Sequence, residues 1–104
     1  MGRFVIVAFK PKPGQSDALA AVVAKHLRVL RSENLVTYKA PYVMHAIDGT
    51  VVEVFEWRSS DAITAAHSNP AVQALWGEFA GVCDYVPLAS LDEAQQMFAE
   101  FDAA

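Results

Sequence analysis

Apolar positions follow two periods along this chain. Residues 3–10 (RFVIVAFK) are rich in β-branched and aromatic side chains, with Phe4, Ile6 and Ala8 on one side and Val5, Val7 and Phe9 on the other. Both sides are apolar, which predicts a central strand covered on both faces. Pro11, Pro13 and Gly14 end it. Over residues 16–33 the period becomes helical. Leu19, Val22, Val23, Leu27 and Leu30 make one apolar stripe, and Lys25, Arg28 and Ser32 lie opposite. Ser16 and Asp17 suit the start of that helix, and Asn34 suits its end.

Two β-rich runs, 36–47 and 50–58, flank Asp48-Gly49, a strong signal for a two-residue hairpin turn. That turn would set Ile47 opposite Thr50, His45 opposite Val52, Val43 opposite Val54 and Tyr42 opposite Phe55. One face would then carry Tyr42, Met44, Val51, Glu53, Phe55 and Trp57, and the other Val43, His45, Ile47, Val52 and Val54. Pro41 suits an edge strand or a bulge. Residues 59–82 read as a second helical region, opened by Ser59-Ser60-Asp61 and divided at Pro70, with Val72, Leu75, Trp76 and Phe79 along one side. Residues 83–88 read as a last strand. Ser90-Leu91-Asp92-Glu93 has the form of a capping box, which predicts a C-terminal helix over about 91–101 packed through Met97, Phe98 and Phe101.

The order β-α-β-β-α-β predicts an α+β, ferredoxin-like domain with an antiparallel sheet, its core at about 3–88 and an extra C-terminal helix, all in a single domain over 1–104. Helices cover one face of such a sheet. The other face is also apolar, so a homodimer with sheet facing sheet is expected. Composition sharpens that expectation: 54% of the 104 residues are hydrophobic and only 19% are charged, an apolar balance for a domain with so much surface.

Charge is uneven. Residues 1–58 hold all eight basic and five acidic residues, a balance of +3, whereas 59–104 hold seven acids and no base, −7. With a net charge of −4 and a pI near 5.2, nucleic acid is not an expected partner. A lone Cys83 cannot form an intramolecular disulfide. No apolar helical run approaches the length that spans a bilayer, so no membrane partner and a cytoplasmic location are expected. The acids at Asp92, Glu93, Glu100 and Asp102 read as a solvated face, or as neighbours of Arg28 or Arg31.

The segments Val52-Glu53-Val54-Phe55-Glu56-Trp57-Arg58-Ser59-Ser60-Asp61 and Ala65-Ala66-His67-Ser68-Asn69-Pro70-Ala71-Val72 resemble the antibiotic-biosynthesis-monooxygenase family. The resemblance extends by element order over roughly residues 3–88. It implies a dimeric α/β barrel with a pocket between helices and sheet in each subunit. It also implies cofactor-independent oxidation of an aromatic, quinol or polyketide-like molecule. Trp57 and His67 have the ten-residue spacing of the family's haem-degrading branch, but the first strand lacks that branch's Asn. Haem binding through His67 is therefore a third expectation, behind oxygenation and behind a non-catalytic ligand-binding or structural dimer.

Among individual residues, His67 is the candidate catalytic base, since it follows Ile63 by one helical turn and imidazole titrates near neutrality. Trp57, Trp76 and Phe55 are candidate walls for an aromatic substrate, and the Tyr38 and Tyr42 hydroxyls candidate partners for its oxygens. Glu53, set among apolar neighbours, needs a partner, for which Arg3, Lys39 or Arg58 are available. His26 and His45 stand alone in sequence. The chain has no metal-ligand spacing and no glycine-rich phosphate loop, so neither a metal nor a nucleotide cofactor is expected.

Overall fold

The computed structural model describes all 104 residues. Its elements are β1 (Arg3–Pro11), α1 (Ser16–Ser32), β2 (Tyr42–His45), β3 (Val51–Trp57), α2 (Ser60–Ala66), α3 (Pro70–Val82), β4 (Cys83–Val86) and a short β5 (Asp102–Ala103). The strands form one antiparallel sheet in the order β4-β1-β3-β2-β5. The first four of these strands, with helical connections after β1 and β3, make the expected ferredoxin-like α+β arrangement. No helix is long and apolar enough to cross a membrane.

Local chemistry explains the boundaries. α1 ends where Asn34 takes a positive φ of 60°. The Asn34 amide then donates to the Arg31 carbonyl and the Leu35 amide to the Leu30 carbonyl, which satisfies two otherwise unpaired helix-end acceptors. Ser59 Oγ accepts from the Ala62 amide and opens α2. Asn69 Oδ1 accepts from Ala71 and Val72 and opens α3, with Pro70 at the first helical position.

The hairpin differs from the expected one by a single residue. Its loop has three residues, not two: the Gly49 amide donates to the Ala46 carbonyl, and Gly49 takes a φ of 91°. The Asp48 carboxylate accepts from the Thr50 amide. This is a type I-like turn followed by a residue in the left-handed region, where glycine has no Cβ penalty. The observed partners are Tyr42–Val54, Val43–Glu53, Met44–Val52 and His45–Val51. Tyr42 and Met44 are consequently on the face opposite to Glu53, Phe55 and Trp57, which corrects the expected grouping. The strand before the turn is also short. Val36 bridges Trp57, the chain then bulges through residues 37–41, and pairing resumes at Tyr42. That bulge leaves Tyr38 in solvent.

Each face of the sheet has its own core. On the helix-covered face Phe9, Val51, Phe55 and Trp57 pack against Leu19, Val22, Val23, Leu27 and Leu30 of α1 and Val72, Leu75 and Phe79 of α3. Burying a side chain of this kind contributes about 1.5–3 kcal/mol. The opposite face is covered only in part, and by the chain's own C-terminal segment. Leu91 is buried with Ala8, Ala46 and Val52, and Phe101 packs beside them. No C-terminal α-helix forms. Residues Leu88–Ser90 and Asp92–Gln95 are short 3₁₀ turns, and the chain then extends to pair β5 with β2. The would-be capping residue Glu93 instead accepts from the Ile47 amide. Met97 and Phe98 are exposed, so of the three expected packing residues only Phe101 docks. Arg31 donates to the carbonyls of Thr37 and Lys39 and makes no pair with the late acids.

Candidate functional site

The site starts from a residue on the apolar stripe of α1. His26 lies one turn after Val22 and Val23 and one turn before Leu30, so it points at the sheet. Glu53 occupies the helix-facing side of β3 and points back. His26 Nδ1 and Glu53 Oε1 are 2.6 Å apart, and their side chains are only 5% and 1% exposed. An ionised carboxylate here accepts from Nδ1–H, and a neutral imidazole in that tautomer keeps its lone pair on Nε2. The contact has the geometry of an acid–imidazole pair, in which an ionised acid fixes the tautomer and stabilises an imidazolium.

Aromatic rings surround this imidazole. Phe55 and Phe79 meet it edge-on at 5.2 and 5.0 Å between centroids, and Phe9 at 6.2 Å. Phe9 and Phe79 stack at 4.6 Å. His26 forms part of the wall of an apolar cavity of about 320 Å³, together with Val5, Val7, Phe9, Phe55, Trp57, Trp76 and Tyr85. That volume is at the lower end of the range for small-molecule sites. Burial pushes the Tyr85 phenol up to about 12, so it is a neutral donor at the cavity wall. Burial likewise raises the Cys83 thiol, which donates to the Phe79 carbonyl.

Of the expected site residues, Phe55, Trp57 and Trp76 meet in this cavity. His67 does not form part of its wall. It caps the C-terminus of α2, exposed, with Nδ1 donating to the Ile63 carbonyl at 2.9 Å and its ring against the edge of Trp76. Tyr42 lies on the far face of the sheet, in a groove with Phe4, Lys39 and Glu56, and Tyr38 is 92% exposed. Neither reaches the cavity. Glu53 pairs with His26, not with Arg3, Lys39 or Arg58; Lys39 pairs with Glu56 at 3.1 Å. The Lys39 ammonium and the Thr37 hydroxyl hold the Glu56 carboxyl below its usual range.

His26 and Tyr85 are the additions that sequence reasoning missed, together with His26 as the partner that Glu53 needed. The signal was present for the first: His26 shares the helical phase of Leu19, Val22, Val23 and Leu30. No group of three His, Cys, Asp or Glu side chains comes together that could hold a metal ion.

One atom of the pair is unsatisfied. Glu53 Oε2 is fully buried without a hydrogen-bond partner, which costs about 1–3 kcal/mol in a native fold. Glu53 does not line the aromatic cavity. It lines a second, larger groove on the other side of α1.

The chain matches no known protein-family model, and no characterised protein matches it in sequence.

Proposed function

We propose that the protein is a cofactor-independent monooxygenase of an aromatic or polyketide-like molecule, acting as a homodimer of the antibiotic-biosynthesis-monooxygenase type. The observation that carries this reading is a buried His–Glu pair opening on an apolar, aromatic-walled cavity. The base is His26, because it lines the cavity and His67 does not. His26 Nε2 takes a proton from an acidic C–H or O–H of the bound substrate, and Glu53 stabilises the imidazolium. The electron-rich anion then reduces O2 directly. For a methylene flanked by aromatic rings, one oxygen atom becomes the new carbonyl and the other leaves as water with the two hydrogens of the methylene. Trp57 and Trp76 hold the flat substrate, and the apolar walls exclude water from the anion. The dimer is supported by apolar side chains left in solvent on the sheet face away from the helices, among them Phe4 and Ile6.

Both tryptophans of the chain line the cavity, so intrinsic fluorescence reports its occupancy. An anthrone and dihydroxynaphthalene panel should quench it and consume oxygen. Uptake should fall by about 10²–10⁴ in His26→Gln and persist in His67→Ala. Quenching without uptake would support a binding dimer instead. Loss of uptake in His67→Ala with full activity in His26→Gln would overturn the assignment of the base.

A further inference from the structure

On the side of α1 away from the aromatic cavity, a groove of about 790 Å³ runs along the helix over β2 and the hairpin. Its wall is built from Ala20 and Ala24 of α1, and Val43 is on its floor. Small residues on the helix leave the space open. Two features set its chemistry. Glu53 lines it and holds a buried, unpartnered Oε2. Arg28 and Arg31, one turn apart, stand toward the C-terminal end of α1 and border the same groove. Neither pairs with a carboxylate: Arg31 is anchored on the Thr37 and Lys39 carbonyls, and Arg28 makes no hydrogen bond or ion pair within the chain.

We infer that this groove is a second ligand site, for an amphipathic carboxylate that carries a hydroxyl group along or at the end of its chain. The guanidinium pair holds the carboxylate. The apolar chain lies over Val43 between α1 and the hairpin. The hydroxyl donates to Glu53 Oε2 and satisfies one of the two buried side-chain atoms that the fold leaves without a partner, the other being Thr50 Oγ1. Residues Asp17 to Arg31 border the groove along α1. At about 1.5 Å rise per residue this gives roughly 20 Å, enough for a chain of about ten carbons. The site stands on groove, charge and orphan acceptor, and does not depend on oxygenation in the neighbouring cavity.

Amide chemical shifts, followed with ω-hydroxydecanoate, decanoate and decyltrimethylammonium below their micelle concentrations, test this directly. ω-Hydroxydecanoate should saturate, with shifts at Ala20, Ala24, Val43 and Gly49. It should bind about tenfold to a hundredfold more tightly than decanoate, the value of one hydrogen bond to a buried charged acceptor. Arg28→Gln/Arg31→Gln should weaken both anions by at least about tenfold. Ala24→Trp, at an exposed helix position, should block the groove without touching the core. Equal affinity for the cation, equal affinity for decanoate, or shifts confined to Phe9, Phe55 and Trp57 would each overturn the site.

Discussion

A buried imidazole–carboxylate pair has an asymmetric energetic signature. Removing one partner strands the other in a low dielectric, whereas removing both leaves only packing to repair. His26→Leu alone should therefore cost about 3–5 kcal/mol, and His26→Leu/Glu53→Leu should recover most of it. Urea denaturation of the two single variants and the double variant measures the coupling; additive losses would show that the pair is not energetically coupled. Tyr85 makes a second prediction. Its folded value, about 12, lies above the ordinary phenol value of 10, so its contribution is complete below pH 10. That contribution is lost as pH rises towards 12, because the unfolded chain releases the proton first. Phenolate absorbance should show one late-titrating tyrosine, absent in Tyr85→Phe. Both groups show where sequence reasoning stops. Glu53 was legible as a carboxylate in need of a partner, because it alternates with Val51 and Phe55. Its partner was not, because the choice between His26 and a surface Arg or Lys depends on which helix lies over β3.

At the scale of elements, periodicity placed β1, α1, α2, α3 and β3 well, and Ser59 opens a helix where one was expected, whereas the cap that Asn69 supplies to α3 was not foreseen. The hairpin and the C-terminal segment were the failures, each for a definite reason. Asp48-Gly49 marks a turn, but a two-residue and a three-residue loop use the same pair, and one residue of slip moves every side chain to the other face. After Leu88 the helical spacing of Ala94, Met97, Phe98 and Phe101 is outweighed by two long-range contacts: Leu91 packed in the cluster with Ala8 and Val52, and β5 pairing with β2. The consequence is measurable. Leu91→Ala should cost about 2–4 kcal/mol. Met97→Ser and Phe98→Ser, on exposed side chains, should stay within about 0.5 kcal/mol. A large loss at Met97 or Phe98 would mean that the helix forms after all.

For the whole molecule, the excess of apolar residues divides into three parts. One is the core under the helices, one is the cluster under Leu91, and the remainder is open to solvent. Phe4 and Ile6 belong to β1, an interior strand of the sheet, yet they are 61% and 50% exposed. Tyr42 and the half-buried Val54 lie beside them on the same face. An interior strand that shows Phe and Ile to water lacks a layer, and domains of this type are built from packed layers. The C-terminal segment covers only the Ala8–Val52 half, so the apolar surface left open is narrower than a whole sheet face and centres on Ile6. Lys39, paired with Glu56 and 5.2 Å above the Phe4 ring, gives it a polar rim. A dimer through this surface should be disrupted by a charge at its centre. Light scattering on a sizing column should give twice the 11.3 kDa chain mass for the natural sequence. It should give the single mass for Ile6→Asp, with helical circular dichroism unchanged because Ile6 is outside both cores. A single mass for the natural chain at high micromolar concentration would remove the dimer and, with it, the barrel.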